Sequence, residues 1–230
     1  MKNLAIIMSG GSGSRMNSDT PKQLLKIGKE NLLELTIKKF HEHPDIDLIY
    51  IISQPDLIET TKRLVAERNF SKVSKILPGG LTRQLSSGIG VAASENDHEN
   101  ILIHDSARPF ISQELISRVL SKLEMTMAVT PVIDSSDTLI RIDDSGNVQK
   151  YLDRDEIKRV QTPQGFKREV ILKAHLEAEK ASVNTFTDDC SMIIHYEISD
   201  VALVEGDPLN LKITYREDLN RIKIDESKKA

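Results

Sequence analysis

Leu4-Ala5-Ile6-Ile7-Met8 runs directly into Ser9-Gly10-Gly11-Ser12-Gly13-Ser14-Arg15-Met16. An unbroken apolar run of this length reads as a strand buried on both faces, as in the middle of a parallel sheet covered by helices. The glycine-rich run then lies beyond the carboxyl end of that strand, where open α/β sheets hold their ligands. Small residues let backbone N–H groups approach a phosphate chain, and Arg15 adds a fork of donors suited to phosphate oxygens. Lys22, behind Pro21, is a second cation of the same segment. A plain surface turn is the competing reading of these glycines.

Other glycine motifs fail on details. The only Gly-Lys pair, Gly28-Lys29, is followed by Glu30, so the nucleotide-binding pattern ending in Gly-Lys-Ser/Thr is absent. A dinucleotide fingerprint starting at Gly11-Ser12-Gly13 would put its third glycine on Met16, and Ser53-Gln54 stands where its ribose-binding acid belongs. A nucleophile elbow breaks at Ser14.

Outward from this segment, apolar runs recur at Leu48-Ile49-Tyr50-Ile51-Ile52, Ile101-Leu102-Ile103 and Met127-Ala128-Val129-Thr130-Pro131-Val132. Between them Leu32, Leu33, Ile37 and Phe40, and again Leu57, Thr61, Leu64 and Val65, fall at helical spacing. Repeated β-α units to Val132 predict an α/β fold, a mostly parallel sheet flanked by helices, with residues 1–230 as a single domain. The rhythm breaks after Ile133. Leu139-Ile140-Arg141-Ile142 and Val148-Gln149-Lys150-Tyr151 flank the turn-forming Asp144-Ser145-Gly146-Asn147, which predicts a hairpin. A two-stranded hairpin is marginal alone in water and needs something to pack on, a second subunit included. The polar tail from Asp225 to Ala230 is expected to fray.

Composition narrows the function. The 230 residues carry a net charge of -4 and only 4% aromatics, which argues against a nucleic-acid platform. The apolar run at the N-terminus is too short for a signal peptide, and no stretch approaches a membrane span. Cys190, the single cysteine, excludes an intrachain disulfide and fits the cytoplasm; it lacks a base partner and reads as core.

Further polar clusters complete the reading. In His104-Asp105-Ser106-Ala107-Arg108-Pro109 an acid ends a buried strand, where it either holds Mg²⁺ beside the phosphates or caps the next turn. Gly79-Gly80-Leu81-Thr82-Arg83-Gln84-Leu85-Ser86 reads as a loop opening a helix, able to meet a base edge or simply to cap. Thr187-Asp188-Asp189-Cys190-Ser191 resembles an N-cap, and Asn210-Leu211-Lys212-Ile213-Thr214 a short strand with a solvated lysine. His41-Glu42-His43 before Pro44 reads as a solvated helix end, and no zinc pattern is present.

Taken in order, these segments, together with Asp137-Thr138 and Thr162-Pro163-Gln164, resemble the 2-C-methyl-D-erythritol 4-phosphate cytidylyltransferase family and its relatives the ribitol-5-phosphate cytidylyltransferases. The resemblance spans nearly the whole chain. It implies a Rossmann-like nucleotidyltransferase fold whose β-arm, residues 133–155, clasps a second subunit in a homodimer. It implies Mg²⁺-dependent transfer of CMP from CTP to an alditol phosphate, with pyrophosphate released. By carry-over Arg15, Lys22 and Lys212 neutralise the α-phosphate and the departing pyrophosphate, and Asp105 holds the metal. Ser9, Gly10, Gly11, Gly13, Gly79, Arg83 and Ser86 form the nucleotide set. Arg108, Thr138 and Thr187 meet the acceptor, Thr162 its phosphate, and Arg154 reaches that phosphate from the partner's arm. Where many members carry an acid just before the Asn-x-Lys segment this chain has Leu209, with Asp207 two places earlier. Methylerythritol phosphate is the expected acceptor and ribitol 5-phosphate the alternative; a noncatalytic nucleotide-binding protein is the alternative of another class.

Overall fold

The computed structural model describes residues 2–11, 16, 20–215 and 217–218. From the amino end these form β1 (Lys2–Ser9), a short hairpin of β2 (Lys26–Ile27) and β3 (Glu30–Asn31), α1 (Leu32–Glu42), β4 (Leu48–Ser53), α2 (Ile58–Glu67), β5 (Val73–Pro78) and α3 (Arg83–Ala92). Then come β6 (His98–Asp105), α4 (Gln113–Leu123), β7 (Ala128–Asp134), β8 (Ile140–Ile142), β9 (Val148–Tyr151), β10 (Lys158–Val160), β11 (Gln164–Lys167), α5 (Arg168–Lys180), α6 (Asp189–His195) and β12 (Ala202–Glu205). The expected tail, 225–230, lies outside the described residues, as do Gly13 and Arg15.

β1 is central, as its apolar run predicts. It pairs in parallel with β4 on one edge and β6 on the other, and β5 continues the sheet beyond β4. Its alternate side chains feed two cores. Ala5 and Ile7 pack with Ile37 and Phe40 of α1, Leu64 of α2 and Ile116 of α4. Leu4, Ile6 and Met8 face Val91 of α3, Ile171 of α5 and Met192 of α6 on the opposite side. A strand covered on both faces has no polar alternation to show, which is why its sequence reads as one apolar block.

The far edge is mixed. β11 runs antiparallel between β6 and β7. Val132 of β7 pairs with Val160 of β10 and with Glu205 of β12, so β10 and β12 lie on opposite sides of β7, β12 in parallel. β8 and β9 form the hairpin expected from the sequence and, among the described residues, pair only with each other. Its turn is local chemistry. Gly146 takes φ +81, and Asp143 Oδ1 accepts the N–H groups of Ser145 and Asn147 at 3.0 and 2.9 Å.

Two local expectations fail. His43 is not solvated. Its side chain is buried, with Nε2 2.9 Å from Ser117 Oγ and Nδ1 accepting the Asp45 N–H at 3.2 Å, because α4 covers that end of α1. Residues 210–214 form no strand but an irregular segment pinned by hydrogen bonds beside the site. Among the described residues no helix is long and apolar enough to cross a membrane.

Candidate active site

Parallel pairing sets Met8 of β1 opposite Asp105 of β6, so the chains leaving the two strands emerge side by side. The amino end of α3 and residues 210–214 close over them. Between these lies a cleft of about 430 Å³, lined among others by Ser9, Gly10, Gly11, Lys22, Arg83, Ser86, Asp105 and Lys212. Eight residues that the sequence assigns to different motifs thus converge on one space.

One wall is built on close backbone approach. A Cβ on Gly79 would meet Ser86 Oγ at 3.1 Å, Ser53 O at 3.4 Å and Gly10 Cα at 3.6 Å, so the close packing of the loop after β5 on Ser86 and on the loop after β1 favours glycine at 79. Thr82 caps α3 by accepting the Leu85 N–H at 3.1 Å. Ser86 Oγ accepts the Gly80 N–H at 3.0 Å and lies 2.9 Å from Thr82 O, so it shapes the loop from within. The loop leaves Leu81 99% exposed at the rim. Gln23, buried beside Lys22, donates to Ser9 O at 3.2 Å and to Gln54 Oε1 at 3.0 Å, tying the following segment to the end of β1.

The floor is charged. Asp105 Oδ2 accepts from Lys212 Nζ at 2.6 Å, and Oδ1 lies 3.5 Å from Arg83 Nε. Burial alone would raise the Asp105 pKa, but Arg83, Lys212 and Arg108 outweigh it and hold the carboxyl well below its ordinary range. Arg83 is locked from behind. Its Nη1 donates to Asp189 Oδ2 at 2.7 Å, and Asp189 is wholly buried at the start of α6. Asp189 Oδ1 takes the Ser87 hydroxyl at 2.5 Å, and its N–H donates to Gln164 Oε1 at 3.0 Å. Against the cost of burial, Asp189 and Asp105 raise the Arg83 pKa, so the guanidinium stays charged.

Residues 210–214 are fixed as backbone. The wholly buried Asn210 donates from Nδ2 to Thr162 O at 2.8 Å, its carbonyl accepts from Arg108 Nη1 at 2.7 Å, and the Ile213 N–H donates to Ala107 O at 2.8 Å. The Lys212 side chain itself is 41% exposed. The resemblance implies that Thr162 meets the acceptor phosphate; here its hydroxyl lies 3.0 Å from His104 Nδ1 and accepts the Asp105 N–H at 3.2 Å.

Thr138, Arg154 and Thr187 are exposed and stand outside this cleft lining. Arg154 Nη2 donates to Thr138 Oγ1 at 2.7 Å at the foot of the hairpin. Thr187 directly precedes Asp188, the cap of α6. The sequence reading missed Asp189 as the counter-ion of Arg83, as well as Gln23 and His104. An acid doubled at a cap, Asp188-Asp189, was the one available signal: the first caps, which frees the second for another partner.

Elsewhere, Glu95, Asp97 and His98 group their ligand atoms at the other end of β6. Lys75 and Lys2 already pair with the two acids. His98 Nδ1 accepts the Glu95 N–H at 3.0 Å, so the proton sits on Nε2 and neither nitrogen has a lone pair to give.

Burial lowers the pKa of His41, His43, His98, His104 and His175, that of His104 to about 4. Unfolded, each takes a proton near pH 6.5; folded, each resists it. The stability they confer is therefore complete above about pH 6.5 and is lost as the pH falls towards 4. The urea midpoint should be lower at pH 5 than at pH 7.5, and an unchanged or higher midpoint would contradict this.

The family model described as "IspD: 2-C-methyl-D-erythritol 4-phosphate cytidylyltransferase" matches residues 3–224. A protein named 2-C-methyl-D-erythritol 4-phosphate cytidylyltransferase from Thermobifida fusca is 34% identical over 222 residues, covering 94% of this chain and 89% of that protein. One of the same name from Clostridium botulinum (strain 657 / Type Ba4) is 38% identical over 218 residues, covering 95% of this chain and 94% of that protein. The crystal structure of 4-diphosphocytidyl-2C-methyl-D-erythritol synthase from Anaerococcus prevotii superposes with a TM-score of 0.87 at 30% identity, over 98% of this chain and 96% of that one.

Proposed function

Because the chain belongs to the 2-C-methyl-D-erythritol 4-phosphate cytidylyltransferase family, we propose that it transfers the cytidylyl group of CTP to 2-C-methyl-D-erythritol 4-phosphate, a step of isoprenoid precursor synthesis. An oxygen of the acceptor phosphate attacks the α-phosphorus of CTP. The new P–O bond forms as the bond to the β-phosphate breaks, giving CDP-methylerythritol and pyrophosphate. A phosphate monoester is already an anionic nucleophile, so no general base is demanded, and catalysis is positioning plus fixed positive charge. One observation carries this reading: an ionised carboxylate at the cleft floor, Asp105, held between Lys212 and Arg83 beside the glycine loop.

The donor set suits Mg²⁺. Magnesium takes one or two carboxylates and completes its shell with substrate phosphates and water, and Asp105 is an ionised acid facing the place where a triphosphate fits. Bound there, the ion would draw charge from the α- and β-phosphate oxygens. Lys212 occupies the same carboxylate oxygen, so it swings towards the triphosphate when nucleotide binds, while Arg83 stays on Asp189. Lys22 flanks the departing pyrophosphate, and the resemblance gives Arg15 the same charge-neutralising role. Gly10, Gly11 and Gly79 leave room for the nucleoside, and Arg108 and Thr187 meet the alditol.

The test is pyrophosphate release with CTP and a panel of alditol phosphates. Turnover should be fastest with 2-C-methyl-D-erythritol 4-phosphate. Faster turnover with ribitol 5-phosphate would move the assignment to the relatives, and tight CTP binding without release from any acceptor would make the protein a nucleotide binder.

A further inference from the structure

We propose that His104, which touches neither substrate, is the positioning residue that sets the spacing between the nucleotide-side carboxylate of Asp105 and the acceptor-side guanidinium of Arg108. The inference rests on the functional reading above and assigns it one further residue. His104 is wholly buried as the penultimate residue of β6, its ring 5.0 Å from that of Phe40. Its Nε2 lies 3.0 Å from the Arg108 carbonyl. A carbonyl can only accept, so Nε2 carries the proton. Nδ1 is then a bare lone pair, and the Thr162 hydroxyl 3.0 Å away donates to it. With that hydrogen committed, Thr162 Oγ1 accepts the Asp105 N–H at 3.2 Å. The chain of donors runs one way, from the Asp105 N–H to Thr162 Oγ1, from the Thr162 hydroxyl to His104 Nδ1, and from His104 Nε2 to the Arg108 carbonyl.

The two ends of this relay are the two ends of one turn. The Arg108 N–H donates to Asp105 O at 2.9 Å, closing residues 105–108. One ring therefore fixes both ends, Asp105 through Thr162 and Arg108 directly. The turn carries Asp105 towards the nucleotide and Arg108 towards the acceptor. In-line attack needs the acceptor oxygen and the α-phosphorus aligned at near-contact distance, so a small change in this spacing costs rate without loss of fold.

Two substitutions separate the two bonds. His104→Asn puts an amide oxygen near the place of Nδ1 and keeps Thr162, but falls short of the Arg108 carbonyl. His104→Gln puts an amide N–H near the place of Nε2 and keeps Arg108, but offers Thr162 no acceptor. Losing one such bond is worth up to about tenfold. His104→Asn should raise the KM for the acceptor by about that factor and leave Mn²⁺ affinity of the CTP complex, read by electron paramagnetic resonance, unchanged. His104→Gln should weaken Mn²⁺ binding by about tenfold and leave the acceptor KM within about twofold. Thr162→Val, which keeps the imidazole, should repeat the Gln variant's Mn²⁺ effect, and it decides the matter if either His104 variant does not fold. Parallel shifts of both constants or shifts in neither with the His104 variants, or a Thr162→Val whose Mn²⁺ binding is unchanged, would overturn the proposal. Wild-type protein without turnover would sink the functional reading and this inference together. Turnover with unsplit variants would sink only the inference.

Discussion

Asp105→Asn should leave about a thousandth of the wild-type kcat or less and Lys212→Met about a hundredth, yet the two should move metal affinity in opposite directions. Asp105 is the only acid among the described residues that line the cleft. Asparagine keeps its shape and removes its charge, so a divalent ion loses its protein ligand and Mn²⁺ binding weakens. Lys212 Nζ, 2.6 Å from Asp105 Oδ2, occupies the same oxygen an ion would take. Methionine keeps the stem and removes the ammonium, so without nucleotide Mn²⁺ should bind several-fold tighter while kcat falls for want of charge on the triphosphate. Arg83 cannot swing in to replace the lost cation, because buried Asp189 holds it at 2.7 Å. Pyrophosphate release gives kcat, and paramagnetic resonance gives metal affinity. Weaker Mn²⁺ binding in both variants would reduce Lys212 to a structural prop for Asp105. An Asp105→Asn protein with a tenth of the activity would pass the metal to another group, Asp207 being the acid just before the Asn210-Leu211-Lys212 segment.

Mixing two nearly inactive variants, Arg154→Ala and Lys22→Ala, should restore about a quarter of the wild-type sites, the statistical yield when a two-fold dimer exchanges subunits at random. The hairpin motivates this. Among the described residues its strands pair only with each other, and Ile142 and Tyr151 are 60% and 67% exposed on it. Free-standing two-stranded ribbons with apolar faces are unstable in water, so a partner's surface is the natural cover. Arg154 and Thr138 meet at the foot of this hairpin, apart from the cleft lined by Asp105. We propose a dimer whose arms cross, in which these two residues would complete the neighbour's acceptor site. Each heterodimer then has one site with both lesions and one with neither. If Arg154 served its own chain, every site would keep one lesion and the mixture would stay inactive. A monomer in sedimentation at assay concentration would end the proposal.

The parts legible in the sequence are those set by short-range physics. β1 could be recognised because a strand buried on both faces must be apolar throughout, and the loop after it because its small residues follow that strand directly, where backbone N–H groups can approach a phosphate. The hairpin followed from its turn, where Gly146 takes a positive φ. Charge partners were not legible. Lys212 reads locally as a solvated lysine in a strand, yet it meets Asp105, 107 residues earlier in the chain. Asp189 reads as part of a cap, yet it neutralises Arg83 across 106 residues. His43 reads as solvated until α4 packs over it, and His104 as one more polar residue after a strand until Thr162 and Arg108 close on its two nitrogens. Periodicity and turn chemistry act over a few residues and so are written in local order. A buried charge or imidazole takes whichever partner the folded strands and loops bring within hydrogen-bond distance, and that choice exists only once the chain ends of β1, β6 and the 210–214 segment have been brought together.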